Sequence, residues 1–315
     1  MICGQCGDQV FYRFDDQRLS IEGNGPMWDF APEETTAEQR VTRYDTPWSS
    51  MLVESAVVSS GVTRIGNGAF CRSFLQSVHL PNTLKEIGSW AFADSDLERV
   101  RIPPAVKRIG THAFFHCDRL RDVLLPDHIR LDSYSFARTG MQRLRFRGKL
   151  DYAGKMAFWL NSALTEVKLP PCGALGYALF DSCGLIRADL SGCGLETLPD
   201  YLFSCCNHLE TLLLPPQARS IGTGCLMDAG LTELVLPASV EEFHPGDVIG
   251  SKLKRIVFLG KKAPDCTECS SFCQKDLELV IPEDAEGFDV MPWRAQRITR
   301  LPETELKELE RRYRK

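Results

Sequence analysis

The stretch Ile65-Gly66-Asn67-Gly68-Ala69-Phe70 returns twice, as Ile87-Gly88-Ser89-Trp90-Ala91-Phe92 and as Ile109-Gly110-Thr111-His112-Ala113-Phe114. Its last residue, which we call the anchor, recurs at intervals of 22 to 24 residues. The anchors are Phe70, Phe92, Phe114, Phe136, Phe158, Phe180, Phe203, Leu226, Val248 and Phe272. Self-similarity at a fixed period of this length predicts a stack of similar supersecondary units.

A second phrase, of the form L-x-x-V-x-L-P, follows most anchors. It reads Leu75-Gln76-Ser77-Val78-His79-Leu80-Pro81 after the first anchor, and later copies begin at Leu97, Leu120, Leu164, Leu209 and Leu231. Alternation of apolar and polar residues is typical of a short half-buried strand, and the proline ends the strand because it lacks an N–H. Each repeat therefore predicts one strand, and stacked repeats bury a continuous apolar ladder. The predicted fold class is a β-rich solenoid of short parallel strands.

A glycine stands four residues before most anchors. The positions are Gly66, Gly88, Gly110, Gly154, Gly176 and Gly222. Asp132 replaces the glycine once, and Pro199 and His244 replace it in two later coils, where we expect the turn to change shape. Glycine adopts a positive φ without steric cost, and Asp tolerates the left-handed region better than most residues. We therefore expect a left-handed turn at this position of the repeat.

The two phrases resemble the BspA-like (Treponema pallidum-type) leucine-rich repeats, and the similarity spans roughly residues 60 to 282. Cys6-Gly7-Asp8, the run from Phe14 to Ile21 and the run from Gly23 to Met27 are similar to the cap that often precedes such arrays. The resemblance implies a repeat fold used for protein recognition, often at bacterial cell surfaces. It implies no catalytic residues, because the family motif consists of packing and turn positions.

Three segments follow from these patterns. Residues 1–60 form an N-terminal cap with a two-stranded lid, and 61–282 form a solenoid of about ten repeats. Residues 283–315 form a C-terminal cap that ends in a short helix from Pro302 to Lys315. Acidic residues early and basic residues late in that helix suit the helix dipole. We favour a solvated helix there, with a basic docking tail as the alternative.

Composition restricts the classes of partner. With 37 Lys and Arg against 42 Asp and Glu, the net charge is −5, which argues against a nucleic-acid binder. No run reaches the roughly 18 apolar residues of a membrane helix, so we expect no membrane insertion. The first residues show no secretory signal. We expect a cytoplasmic protein if the sequence is complete at its N-terminus, a secreted or cell-surface protein otherwise, and a monomer in either case.

Thirteen cysteines raise the questions of metal and thiol chemistry. Cys3 and Cys6 form one C-x-x-C pair, while Cys266, Cys269 and Cys273 form a second group. A structural zinc site needs four converging ligands, and the two groups lie at opposite ends of the array, so we predict no metal. Cys117, Cys183 and Cys206 each stand three residues after an anchor, which indicates a packing position. No P-loop, dinucleotide-binding or hydrolase motif is present, so we expect neither cofactor nor enzyme activity.

The exposed strand positions form columns across the stack and contain the only asymmetry of the surface. Arginines gather in coils two to four, and apolar residues align farther along the chain. The candidate binding residues are Arg99, Arg101, Arg121, Arg143, Arg145, Arg147, Leu213, Val235 and Val257. The arginines are either a solvated face that keeps the sheet soluble or a recognition stripe, because guanidinium groups bind carboxylates bidentately. An adjoining apolar patch would mark a binding site.

The hypothesis is a non-enzymatic recognition module that binds an acidic protein partner through its exposed strand face. Arg99, Arg101, Arg143 and Arg145 would orient and steer the partner, while the apolar column would supply buried area. Two alternatives stay open: a secreted adhesin, and a thiol-based sensor or enzyme that uses the terminal cysteines.

Overall fold

The computed structural model describes residues 1–30, 45–266, 276–293 and 296–314. In this described part the chain is a parallel-strand β-solenoid with three antiparallel strands at its N-terminal end and a single C-terminal α-helix. It folds as two compact units, Met1–Leu164 and Thr165–Lys315, which we call the N-terminal and C-terminal units. The division runs through the segment 61–282, and the cap boundaries at 1–60 and 283–315 stay predictions.

The described residues of the N-terminal unit contain thirteen short strands. They are β1 (Ile2–Gly7), β2 (Val10–Asp15), β3 (Arg18–Gly23), β4 (Gly25–Pro26), β5 (Ser55–Val58), β6 (Val62–Ile65), β7 (Ser77–His79), β8 (Glu86–Ile87), β9 (Arg108–Ile109), β10 (Asp122–Leu125), β11 (Ile129–Leu131), β12 (Arg143–Phe146) and β13 (Leu150–Ala153). One sheet has the order β1-β2-β3-β5-β7, and β10 pairs with β12. A second set of strands has the order β13-β11-β9-β8-β6-β4. Most repeats here thus contribute two strands, whereas the sequence predicted one.

The N-terminal end begins with three antiparallel strands instead of the predicted two-stranded lid. The predicted hairpin is β2–β3, and β1 adds a further strand to it. Its two-residue turn contains no glycine, yet Asp16 and Gln17 have φ values of 46° and 62°. Positive φ at both central residues is the geometry of a type I′ turn, whose twist matches that of the flanking strands.

The anchors of the N-terminal unit stack face to face, as the repeat predicts. Ring centroids lie 5.3 Å apart for Phe70 and Phe92, and 4.8 Å apart for Phe114 and Phe136. The five anchor rings from Phe70 to Phe158 are all buried. Trp48 precedes them, stacked at 5.7 Å on Phe70, and its indole Nε1 donates to the Ala69 carbonyl at 2.8 Å. The stack therefore starts one period earlier than predicted.

The anchor segments around Phe70, Phe92, Phe114 and Phe136 are hydrogen-bonded to the following coil through alternate backbone N–H groups. Gly68, Phe70 and Arg72 donate to the carbonyls of Ser89, Ala91 and Ala93, at 2.7 to 2.9 Å. Left-handed residues flank the anchor two positions before it and two positions after it, for example Trp90 (φ 59°) and Asp94 (φ 54°). Because of this alternation, the N–H groups of every second residue point along the stack towards the next coil.

The left-handed turn predicted at Gly66, Gly88, Gly110, Gly154, Gly176 and Gly222 is wrong, because none of these glycines has a positive φ. At Gly110 a Cβ would stand 2.6 Å from the backbone nitrogen of Ser89, and at Gly154 it would stand 2.6 Å from that of Ser133. At Gly110 and Gly154 consecutive coils approach too closely for a side chain. These glycines are needed because of the close contact between coils, while most of the left-handed positions carry ordinary side chains.

The C-terminal unit contains eight strands and two helices in its described residues. The strands are β14 (Glu166–Lys168), β15 (Cys172–Leu175), β16 (Arg187–Asp189), β17 (Thr211–Leu213), β18 (Glu233–Leu236), β19 (Arg255–Phe258), β20 (Glu278–Pro282) and β21 (Arg297–Leu301). A 3-10 helix spans Pro245–Val248, and α1 spans Glu303–Arg314. Two parallel sheets result, in the orders β14-β16-β17 and β18-β19-β20-β21.

The core of the C-terminal unit changes character along the chain. Phe180 and Phe203 stack at 5.7 Å, and the smaller anchors Leu226 and Val248 are also buried. The last predicted anchor, Phe272, lies outside the described residues. Beyond the anchors, a cluster of aromatic rings fills the core, made of Phe243, Phe258, Phe288 and Trp293.

Candidate functional site

The strand face of the N-terminal unit aligns its outward residues in the predicted columns. Arg99 forms parallel bridges with Ser77 on one side and Asp122 on the other. Asp122 is opposite Arg143, and Leu124 is opposite Arg145, in the β10–β12 ladder. Arg99 and Arg143 therefore share one column, with Asp122 between them.

The six arginines on and beside these strands are all exposed, and we call them the arginine cluster: Arg99, Arg101, Arg121, Arg143, Arg145 and Arg147. Two of them have partners. Nη2 of Arg145 lies 3.0 Å from both carboxylate oxygens of Asp122, and Nη1 of Arg121 donates to the Gly140 carbonyl at 3.0 Å.

The other four guanidinium groups have no side-chain hydrogen bond or ion pair among the residues that the structure describes, namely those of Arg99, Arg101, Arg143 and Arg147. Each of these exposed guanidinium groups presents several N–H donors to solvent. Within the described residues, these donors are therefore not used by other side chains.

In the second set of strands of the same unit, by contrast, the arginines are paired with carboxylates. Arg64 contacts Glu86 at 3.4 Å, Arg108 contacts Glu86 at 3.1 Å, and Arg108 contacts Asp132 at 2.7 Å. Arg130 adds a contact to Asp132 at 3.4 Å. The hydrogen bond to Asp132 raises the pKa of Arg108 above its usual value, and Glu86 adds to this effect. We call this set the charge ladder, and its positive charges are neutralised within the protein.

The apolar column of the C-terminal unit is buried, so the prediction that Leu213, Val235 and Val257 form an exposed patch is wrong. Their exposed fractions are 6%, 8% and 0%. Helix α1 lies over them: Leu306 belongs to the same buried cluster as Val235 and Val257. Alternation along a strand separates its two faces, but it does not show that a later segment covers the outer one.

Helix α1 was predicted over 302–315 and is present, but the favoured interpretation of a fully solvated helix is wrong. Leu306 is 3% exposed, and Leu309 and Tyr313 pack against the buried cluster. These three residues lie on one side of the helix, at the spacing expected of an amphipathic helix. The remaining side carries ion pairs, such as the one between Lys307 and Glu303.

The described cysteines are thiols, and none of the eleven is in a disulfide. Cys117, Cys183 and Cys206 are buried, as predicted for a packing position. Burial raises the pKa of Cys6 to about 12, so Cys6 is not an activated thiolate. Cys269 and Cys273 lie outside the described residues. In the part of the chain that is described, no three His, Cys, Asp or Glu side chains are grouped to hold a metal ion.

The repeats match a known family. Six copies of the BspA type leucine-rich repeat region match residues 47–165 and 130–246, which is more than half of the chain. The chain belongs to the BspA-type leucine-rich repeat family. Leucine-rich repeats are typically used for protein–protein interaction and are typically non-enzymatic. The match begins at residue 47, next to Trp48.

Solved structures similar to this BspA-type protein are bacterial leucine-rich repeat proteins. One from Bacteroides ovatus is 16% identical, with 93% of this chain and 98% of that chain covered and a TM-score of 0.43. A leucine rich cell surface protein from Faecalibacterium prausnitzii is 20% identical, with coverages of 65% and 60% and a TM-score of 0.40. The T. pallidum leucine-rich repeat protein is 21% identical, with coverages of 69% and 85% and a TM-score of 0.34. At these values they indicate nothing about function.

No curated protein matches this BspA-type chain. Within residues 1–30, 45–266, 276–293 and 296–314, no helix is both long and apolar enough to cross a membrane.

Sequence reasoning missed three features of this BspA-type protein. Trp48 stands one 22-residue period before Phe70, so extending the anchor series backwards would have found it. The charge ladder carries a weaker signal, an alternation of charge at one repeat position in Arg64, Glu86 and Arg108. The covering of the apolar column by α1 has no local signal.

Proposed function

We propose that this protein recognises an acidic segment of a protein partner through the arginine cluster. The observation that carries the proposal is the contrast within the N-terminal unit: the charge ladder neutralises its own arginines, while Arg99, Arg101, Arg143 and Arg147 have no described partner. A face intended only to remain soluble gains nothing from leaving like charges unpaired side by side.

The column spacing supports a partner segment with regularly spaced carboxylates. Arg99 and Arg143 lie two strand spacings apart, with Asp122 between them, which corresponds to about 10 Å. Three residues of an extended chain span about the same distance. A partner segment with carboxylates at every third residue would place one on Arg99 and the next on Arg143. Arg101 and Arg145, in the neighbouring column, would steer the approach of that segment.

Paired charge reversals test the proposal. The test variant is Arg99→Glu with Arg143→Glu, and the control is Lys85→Glu with Lys107→Glu, which changes the net charge equally at exposed positions flanking the second sheet. The probe is a fluorescent 20-residue peptide with glutamate at every third position. We expect the test variant to bind it roughly tenfold more weakly than the wild type, with a smaller dependence of affinity on salt.

The affinity of the control variant for the peptide should fall by less than about threefold, because charges away from the binding site are screened by salt. An equal loss of affinity in both variants would show that only net charge matters. Unchanged affinity in the test variant would show that the arginine cluster is not the binding site. Wild type and test variant are then used in parallel to capture proteins from the native cells. The partner is the protein that the wild type captures and the test variant does not.

A further inference from the structure

Strand β21 is the edge of the sheet β18-β19-β20-β21 in the C-terminal unit. It pairs in parallel with β20, from Arg297 opposite Glu278 to Leu301 opposite Pro282. In the described part of the chain no strand lies on its other side. An edge strand presents unpaired backbone groups with which a further strand can pair.

The free backbone groups of β21 belong to Ile298 and Arg300. Backbone groups of successive residues in a strand point to opposite sides. The Glu283 N–H donates to the Leu301 carbonyl at 3.0 Å, so Leu301 and Thr299 direct their N–H and C=O groups towards β20. Ile298 and Arg300 therefore direct theirs away from β20, and among the described residues these groups have no other backbone partner.

A column of alternating charge ends at this edge. Glu233, Arg255, Glu278 and Arg297 stand opposite one another in turn across the four strands. Arg255 contacts Glu233 at 3.2 Å and Glu278 at 3.0 Å, so it has a carboxylate on each side. Arg297 contacts Glu278 at 3.0 Å, and its side chain is 75% exposed. Within the described residues Arg297 has no second ion pair, so a carboxylate placed beyond β21 would continue the alternation.

Ile298 leaves apolar surface at the same edge. It stands opposite Leu279, which is fully buried, on the face of the sheet turned to the core. Ile298 itself is only half-buried. The end of a stack needs a further unit to cover its apolar face, so an apolar residue placed opposite Ile298 would bury surface that is now in water.

We propose that β21 binds an extended acidic segment of a partner protein as one more parallel strand. The segment places a carboxylate opposite Arg297 and an apolar residue opposite Ile298. Its backbone pairs with the N–H and C=O groups of Ile298 and Arg300, which is the mode of β-strand addition. The parallel direction continues the pairing of β18 to β21. This site is independent of the arginine cluster, which belongs to the N-terminal unit.

Amide hydrogen exchange of the full chain, followed by NMR, tests the pairing at single residues. The probe is a peptide of about ten residues, rich in threonine and valine, with one glutamate directly before a valine. At saturating peptide the Ile298 and Arg300 amides should exchange at least about tenfold more slowly than in the free protein. The Thr299 amide, which already faces β20, should be protected in both states. Unchanged exchange at Ile298 and Arg300 would overturn the proposal.

Two other results of the exchange measurement would overturn it as well. Protection of Ile298 and Arg300 in the free protein at every concentration would show that the chain itself covers this edge. Protection that increases with protein concentration alone would show that the occupant is a second copy of the chain.

Charge reversal tests the carboxylate. Arg297→Glu should weaken binding of the peptide by about tenfold, and a peptide with lysine in place of the glutamate should bind this variant more tightly than it binds the wild type. The control is Arg311→Glu, which changes the net charge equally at an exposed position near the end of α1. It should weaken binding by less than about threefold, and equal weakening in the two variants would refute the contact with Arg297.

N-methylated peptides test the backbone pairing without any change to the protein. Methylation of the residue opposite Thr299 removes the N–H that donates to the Ile298 carbonyl, and the affinity should fall by at least about tenfold. Methylation one residue earlier, opposite Ile298, removes an N–H that points away from β21, and the affinity should change little. Equal affinities of the two methylated peptides would contradict strand addition.

Discussion

The hydroxyl of Tyr313 accepts a hydrogen bond from the backbone N–H of Leu212, at 3.3 Å. The same hydroxyl donates to the carbonyl of Glu233, at 3.4 Å. Leu212 lies in β17 and Glu233 in β18, which belong to different sheets. The last turn of α1 therefore satisfies backbone groups where the ladder is interrupted, and this attachment holds the helix over Leu213 and Val235.

Removing the Tyr313 hydroxyl tests this attachment. Tyr313→Phe leaves two backbone groups without their partner, and we expect a loss of about 1 kcal/mol in the free energy of unfolding. Burial raises the pKa of Tyr313 to about 12, so the hydroxyl stays protonated at neutral pH. Calorimetric Tm values of the wild type and the variant measure the effect.

The control is Tyr201→Phe in the same unit, where the half-buried ring stacks at an angle on Tyr177. We expect Tyr201→Phe to change Tm little. A Tm for Tyr313→Phe equal to that of the control would show that the two hydrogen bonds contribute nothing to holding α1.

The glycine before the anchor should fail to accept a side chain because of contact and not because of its dihedral angles. An alanine Cβ at Gly222 would stand 2.5 Å from the nitrogen of Asp200 and from the carbonyl oxygen of Leu198. We expect Gly222→Ala to destabilise the C-terminal unit by about 3 kcal/mol, since the neighbouring backbone must move.

Gly246→Ala is the matched control, because no atom lies within 4 Å of the added Cβ. It should leave Tm unchanged or raise it slightly. The comparison by calorimetry would refute the steric explanation if both alanine variants lost the same stability.

The repeat period and the register could be predicted from the sequence because they depend on local alternation. Arg99, Asp122 and Arg143 lie in the column that counting residues gives. Counting residues along the repeat could not show which arginines form ion pairs with carboxylates, because Arg101 and Arg108 both look like exposed strand residues in the sequence. It also could not reveal the cover over Val257, because Leu306 lies far along the chain and belongs to a different element.

A buried asparagine should contribute strongly to the N-terminal unit. Asn161 is fully buried three residues after its anchor, and its amide donates to the carbonyls of Phe136 and Phe158, at 3.0 and 2.7 Å. Its carbonyl oxygen accepts from the backbone N–H of Thr139 at 3.1 Å. Asn161→Ala leaves these groups without a partner, and we expect a loss of roughly 3 kcal/mol.

Asn82→Ala, at an exposed position of the same unit, supplies the comparison for Asn161→Ala. Chemical denaturation of both variants should show a large decrease in stability for the first and almost none for the second. Similar denaturation midpoints for the two would contradict a structural role for the Asn161 network.

Stability of the N-terminal unit should fall in mild acid because of His112. Its ring stacks between Trp90 and Tyr134, with centroids at 4.1 and 4.8 Å, and burial lowers its pKa from 6.5 to about 4. The unfolded chain thus binds a proton between pH 6.5 and pH 4 that the folded chain does not bind. The stabilisation is complete above pH 6.5 and is lost as the pH falls towards 4.

His112→Phe keeps the stacked ring and removes the proton, so its Tm should exceed that of the wild type by a margin that grows as the pH falls. At a pH of about 5 we expect a gain on the order of 1 kcal/mol, after allowance for solvent screening of the partly exposed ring. His79→Gln, at an exposed position on β7, controls for loss of a histidine. A constant Tm difference between His112→Phe and wild type from neutral to acid pH would show that His112 does not cause the loss.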